Sequence, residues 1–235
     1  MLSIIIPTLN EEKYLPRLLE NIKRQDYKDY EIIVCDGYSY DQTAKIAQEN
    51  NCTLILEKKL GPAHQRNVGA RQAKGDLLLF LDADSAFSPH FISRAIKKFE
   101  ARKLDGASFF INIVGKKNKP LYHLYAGVYN LFVYLCQRFK AISVGAALIS
   151  TKKMFDSLNG FDETVYVGED LEYTERIRKK GKYRVLPLRF VFSARRFEEE
   201  GDLVFIIKLL RVAAYSIFRG PLKKKIVAWD FGKHK

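Results

Sequence analysis

The sequence predicts an α/β fold, an open and mostly parallel sheet flanked by helices, followed by a C-terminal amphipathic helical extension. Two observations carry this prediction. Short β-branched runs alternate with longer helical patterns through the first half of the chain, and polar residues collect where those runs end, which is where open parallel sheets place their ligands.

The elements follow in order. "LSIIIP" reads as a first strand, "EEKYLPRLLENIKRQ" as a helix, "YEIIVCD" as a strand, "DQTAKIAQENN" as a helix and "TLILEK" as a strand. "PAHQRNVGARQAK" then reads as a helix, "DLLLFLD" as a buried strand and "PHFISRAIKKFEARK" as a helix opened by Ser88 and Pro89. Beyond residue 115 the pattern is less regular: "GASFFINIV" and "GAALIS" read as strands, "NGFDE" as a turn, and "LEYTERIRKK" as a helix closed by Gly181.

Composition bounds the function. A chain of 235 residues with 47% apolar and 29% charged residues can bury one sizeable core. Its net charge of +13 is uneven, with 16 basic against 15 acidic residues up to position 115 and 24 against 12 beyond it. The C-terminal half therefore calls for an anionic neighbour: nucleic acid, an anionic membrane or a phosphate-bearing substrate. The aromatic residues sit on apolar patterns rather than between basic runs, which argues against nucleic acid. Cys35, Cys52 and Cys136 have neither disulfide-framework nor zinc-ribbon spacing, and the start lacks a basic region followed by a long apolar run. A cytoplasmic protein is expected.

No G-x-G-x-x-G follows the first strand and no G-x-x-x-x-G-K-[ST] occurs, so a dinucleotide-binding dehydrogenase or P-loop NTPase is not indicated. Asp82 and Asp84 instead end an apolar strand, where two charges need compensation. They are not needed as caps, and two oxygen donors at that spacing can share a divalent cation with phosphate oxygens and water. Asp36, at another strand end, suits hydrogen bonds from a base, while Ser39 and Gln42 have the spacing of a capping box. Arg66 and Asn67 read by pattern as a solvated helix face. A guanidinium there would also fit a base or diphosphate.

Taken together, "SIIIPTLNEE", "CDGYSYDQT", "RNVGARQAKGDLLLFLDADS" and "GFDETVYVGEDLEYTERIRKKG" resemble the family 2 glycosyltransferases of the GT-A fold, with a Rossmann-like sheet, over residues 2 to 187. The resemblance implies an inverting, metal-dependent transfer of a sugar, a hexose, from a nucleoside diphosphate, UDP or GDP. By similarity Pro7, Thr8, Leu9, Glu11, Asp36, Arg66, Asp82 and Ala83 would hold the nucleotide, and Asp82 and Asp84, the D-x-D pair, a Mg2+ or Mn2+ ion. Asp170 of the Glu169-Asp170 pair would be the base, with Glu169 beside the acceptor. Asp170 would also serve as a helix cap. Two departures stand out. Tyr38 replaces a family glycine, and Ser193-Ala194-Arg195-Arg196 stands where some members carry a metal-binding histidine. Arg195 and Arg196 could contact a diphosphate or acceptor phosphate, or pair with Glu198 to Glu200.

This reading divides the chain into a nucleotide-sugar half (1–115), an acceptor half (116–200) and a basic amphipathic tail (201–235). In the segment Leu121 to Gln137, which has no charge, His123, Gly127, Asn130, Tyr134 and Gln137 recur at steps of 4, 3, 4 and 3, leaving a broad apolar face that suits the core, a dimer contact or a membrane. Lys208, Arg211, Tyr215 and Arg219, followed by Lys223 to Lys225, suit an interfacial helix on anionic lipid. A polyprenyl-phosphate, lipid-linked or saccharide acceptor and a peripheral place on the inner face of the membrane are therefore expected. The competing readings are a nucleotidyltransferase, for which "PTLNEE" lacks the glycine-rich basic loop, and a non-catalytic module binding membrane or nucleic acid.

Overall fold

The computed structural model describes residues 1–58, 61–115, 119–143, 146–218 and 220–223. Arg219, Lys224, Lys225 and the tail beyond residue 223 lie outside the described residues, as does Gly145 of the expected strand "GAALIS". The strands are β1 (Leu2–Thr8), β2 (Tyr30–Asp36), β3 (Thr53–Leu56), β4 (Leu77–Leu81), β5 (Ala86–Phe87), β6 (Gly106–Val114), β7 (Ala147–Thr151) and β8 (Tyr183–Ser193). The helices are α1 (Leu15–Lys23), α2 (Thr43–Glu49), α3 (Pro62–Gln72), α4 (Phe91–Ala101), α5 (Pro120–Cys136), α6 (Lys152–Ser157), α7 (Glu169–Lys180), α8 (Arg195–Glu200) and α9 (Asp202–Phe218).

One sheet runs β3-β2-β1-β4-β7-β6-β8-β5. The first four strands are parallel, as helix-bearing crossovers require. β7 then enters antiparallel between β4 and β6, and β5 closes the far edge antiparallel to β8. The sheet is thus mixed but mainly parallel, with helices on it and a helical extension after it, as the sequence predicts. β8 went unread because Pro187 interrupts it. Proline cannot donate to the ladder, and the β6–β8 register shifts at that point, from Phe109 opposite Leu186 to Phe110 opposite Arg189.

Strands β1 and β4 are almost continuously apolar and enclosed, with Ile4, Ile5, Ile6, Leu78, Phe80 and Leu81 all inaccessible to solvent. Helix α3 lies close against this layer. A Cβ on Gly69 would come within 2.7 Å of both Cys35 Sγ and Ile5 Cγ2, so only glycine lets the helix approach so near. The first two turns of α3, carrying Gln65 and Arg66, are thereby held over the carboxyl ends of β1, β2 and β4.

Three local expectations are corrected. Ser39 and Gln42 form no capping box: α2 begins at Thr43, whose backbone N donates to Asp41 Oδ1 at 2.9 Å, while Ser39 Oγ is drawn to the buried Asp36 carboxylate. Ser88 and Pro89 do not open α4, because His90 turns into the left-handed region (φ 63°) and the helix starts at Phe91. Asp170 is no cap, since Gly168 (φ 83°) takes that position and Glu169 and Asp170 stand in the first turn of α7.

Candidate active site

The carboxyl ends of β1, β4 and β8, the start of α3, the 163–171 segment and helices α8 and α9 enclose a cleft of about 710 Å³. Every residue expected to bind nucleotide, metal, phosphate or acceptor, or to act as the base, lines it except Asp36. Asp36 is fully enclosed, and its carboxylate accepts from Thr8 Oγ1 (2.9 Å), Ser39 N (2.8 Å) and Ser39 Oγ. The structure therefore places it beneath Thr8, bracing the end of β1. Gln65 adds a second brace by donating to the carbonyls of Thr8 and Cys35 at 2.8 and 2.9 Å.

Arg66 and Asn67 are not on a solvated face. They are 3% and 1% exposed. Arg66 donates to Asp82 Oδ1 at 2.7 Å and to Glu169 Oε1 at 2.6 Å, so one guanidinium joins the end of β4 to the start of α7. Burial disfavours its charge, but Asp82 and Glu169 more than offset this and hold it firmly protonated. Asn67 accepts from Phe161 N at 2.7 Å and donates to Phe161 O and to Glu163 Oε1, each at 2.9 Å, fixing the loop that leads into α7.

Glu199 adds to the negative charge around Arg195. Arg195 reaches across the cleft to Glu11 (3.3 Å) and Asp84 (3.4 Å), and its guanidinium stacks over Tyr14, 4.8 Å from the ring centroid. Arg196 stands close enough to Asp84, Asp82 and Glu200 to feel their charge, and its pKa is lowered by burial and by Arg195.

Two carboxyls are perturbed. Burial raises Asp84 to about 6, with Arg195 opposing and Asp82 and Glu11 adding to the rise. Burial and the adjacent Glu169 raise Asp170 to about 7, opposed by Arg66 and by a 2.9 Å hydrogen bond from Ser143 Oγ. A carboxyl poised near neutrality in a cleft has the properties of a general base.

Asp82, Asp84 and Glu11 leave a concentration of negative charge that a divalent cation would relieve. Among the described residues no cluster of three or more His, Cys, Asp or Glu side chains could hold an ion alone. One or two carboxylates supplemented by substrate phosphates is the usual pattern for Mg2+, and this donor set fits it.

Sequence reasoning missed Ser143, Gln65 and the inner face of α9, where Phe205, Leu209 and Val212 wall the cleft. Ser143 carries no local signal. Asn67 was visible in its motif but had no assigned task.

Residues 3–154 match the model described as Glycosyl transferase family 2. A curated relative from Methanococcus voltae, dolichyl N-acetyl-alpha-D-glucosaminyl phosphate 3-beta-D-2,3-diacetamido-2,3-dideoxy-beta-D-glucuronosyltransferase, is 29% identical over 199 residues, covering 77% of this chain and 62% of its own length. Among solved structures, Mannosyltransferase PcManGT from Pyrobaculum calidifontis in complex with GDP-Man and Mn2+ superposes with a TM-score of 0.68 at 22% identity, over 89% of this chain and 64% of that one. Staphylococcus aureus TarS residues 1–349 in complex with UDP gives 0.66 at 20% identity, over 91% and 65%. The chain thus spans less than two thirds of the length of each of these three proteins.

Proposed function

The chain belongs to glycosyl transferase family 2, and from that premise we propose that it is an inverting hexosyltransferase moving a sugar from a UDP- or GDP-sugar to a lipid-linked glycan at the inner face of the membrane. The observation that carries the reading is the Arg66 bridge, which sets the end of β4 and the start of α7 in one cleft. The Methanococcus relative is a transferase whose name specifies a dolichyl phosphate-linked acceptor, and the two superposed structures hold UDP or GDP-mannose.

In this reading residues 1–115 hold the donor, with the Pro7-Thr8-Leu9 backbone, Glu11, Arg66 and Ala83 around the nucleotide and Asp36 acting through Thr8. Asp82 and Asp84 would hold Mg2+ or Mn2+, which supplies charge neutralisation on the departing diphosphate. Residues 116–200 hold the acceptor, and 201–235 form the tail. Asp170 takes the proton of an acceptor hydroxyl as its oxygen attacks the anomeric carbon. The carbon–phosphate oxygen bond breaks, and the nucleoside diphosphate leaves with the electron pair, so a single displacement inverts the centre. Arg195 and Arg196 would meet phosphate charge on the donor or the acceptor carrier. A base near neutrality suits a hydroxyl nucleophile, whereas a bare polyprenyl phosphate arrives already ionised. This favours a lipid-linked saccharide over the phosphate alone.

Thermal unfolding with UDP, GDP and CDP, each with and without Mn2+, tests the proposal. A diphosphate at about a hundred times its Kd stabilises by about 2.7 kcal/mol, and Asp84→Asn is expected to remove that gain. If no nucleoside diphosphate raises the midpoint in the presence of Mn2+, the proposal fails.

A further inference from the structure

Helix α5 does not bury its apolar stripe. Two of its polar residues, Asn130 and Gln137, point inward: Asn130 pairs with the backbone N and O of Ile111, and Gln137 Oε1 accepts from Val185 N. The apolar stripe faces out, with His123, Gly127 and Tyr134 exposed as well. Leu121, Leu124, Val128, Leu131 and Leu135, spaced 3, 4, 3 and 4, are 46 to 65% exposed, and Phe139 beyond the helix is 82% exposed. A monomer seldom leaves so continuous an apolar patch to water.

Helix α9 adjoins it. Asp202 at its start binds Lys119 and Tyr122 Oη at the start of α5. Its inner face, Phe205, Leu209 and Val212, walls the cleft, while Leu203, Val204 and Ile207 on the opposite face are exposed together with Arg211.

We propose that the outward faces of α5 and α9 form a docking surface for an anionic lipid bilayer. Charge favours this occupant. Asp202 is the one carboxylate in the two helices, and it is already paired, whereas Arg138 and Lys140 follow the stripe and Arg211 flanks the α9 patch. Area disfavours a second copy. Two helices of seventeen residues each present roughly 25 Å by 10 Å, about 500 Å² together at most, against about 800 Å² per partner in a stable interface. A bilayer needs no such complementary area. No helix among the described residues is long and apolar enough to cross a membrane, so the contact is interfacial. Docking on these faces sets the cleft, on the other side of α9, beside the lipid surface; this last consequence rests on the transferase reading.

The test is flotation of the full chain with vesicles of phosphatidylcholine alone or mixed with phosphatidylglycerol, at low and high salt, without donor or acceptor. The wild type is expected to float with the anionic vesicles and to be partly released by salt. Leu124→Asp with Leu131→Asp, and separately Leu203→Asp with Ile207→Asp, are expected to lower partition at least about tenfold with unchanged circular dichroism and an unchanged diphosphate-induced thermal shift. Absence of flotation, or flotation unaffected by both pairs, overturns the inference. So does a dimer in sedimentation velocity that the same substitutions dissociate while vesicles bind neither form. Because diphosphate binding is read separately, loss of docking and loss of the transferase reading are distinguishable.

Discussion

Replacing Asp170 by Asn is expected to stabilise the protein while greatly slowing transfer, and the gain should depend on pH. The folded carboxyl is raised from 3.8 to about 7, chiefly by burial and then by Glu169. Below about pH 4 the side chain is protonated whether folded or unfolded, and it contributes no penalty. Between those two values the folded state holds a proton that the unfolded state has released, so stability falls as pH rises, and above about 7 the full cost is present. At roughly 1.4 kcal/mol per pH unit this reaches up to about 4 kcal/mol. Asn cannot ionise and retains a partner for Ser143, so the difference between variant and wild type should be near zero at pH 4 and grow to several kcal/mol at pH 8.5. Urea unfolding at both pH values reads it. Turnover of the wild type should rise through an acid limb near pH 7, and the variant should lose about 10²- to 10⁴-fold. A variant no more stable at pH 8.5 than the wild type, or a wild-type rate flat from pH 5.5 to 8, would refute the argument that Asp170 is held as a costly, poised carboxylate.

Arg66→Met removes the cation between Asp82 and Glu169 and should destabilise by about 3 to 5 kcal/mol at pH 8; equilibrium unfolding measures it, and a smaller loss at pH 5 is expected as Asp170 protonates. Tyr38 holds φ at 58° with its ring more than half exposed, and Lys58 sits 5.9 Å from the ring centroid. Tyr38→Gly should relieve about 1 kcal/mol of left-handed strain and raise the thermal midpoint by about 2 to 4 °C.

Much of the donor half was legible because parallel strands advertise themselves as apolar runs and end in unusual polar residues. The expected strand end at Asp36 is met to the residue, the first strand runs one residue past "LSIIIP" to Thr8, and "DLLLFLD" stops one residue short, at Leu81. The acceptor half was less so. Pro187 concealed β8, and nothing local distinguishes an antiparallel β7 from a parallel strand, since a strand buried on both faces reads the same either way. "RNVGARQ" looks like a wet helix because its polar content is high; the partners that enclose Arg66 and Asn67, Asp82, Glu169, Phe161 and Glu163, lie up to about a hundred positions away in the chain. Which face of α5 is buried was hidden for a similar reason. Without the Asn130 amide the buried N and O of Ile111 would lose their partner, and composition cannot reveal where such a partner lies.

The contacts that build the cleft also fix when it can come into being. Arg66 meets Glu169 across 103 positions of chain, and Glu11 meets Arg195 across 184. Contacts so distant carry the loop-closure entropy that slows folding, and they can form only after the intervening strands have ordered. A chain released at residue 154, where the match to the family model ends, would carry Asp82 and Asp84 and much of the sheet. It would lack Glu169, Asp170 and Arg195, leaving Arg66 without one of its two anchors. During synthesis the nascent protein should therefore remain inert until α8 has emerged, because the Glu11–Arg195 contact is among the last to close.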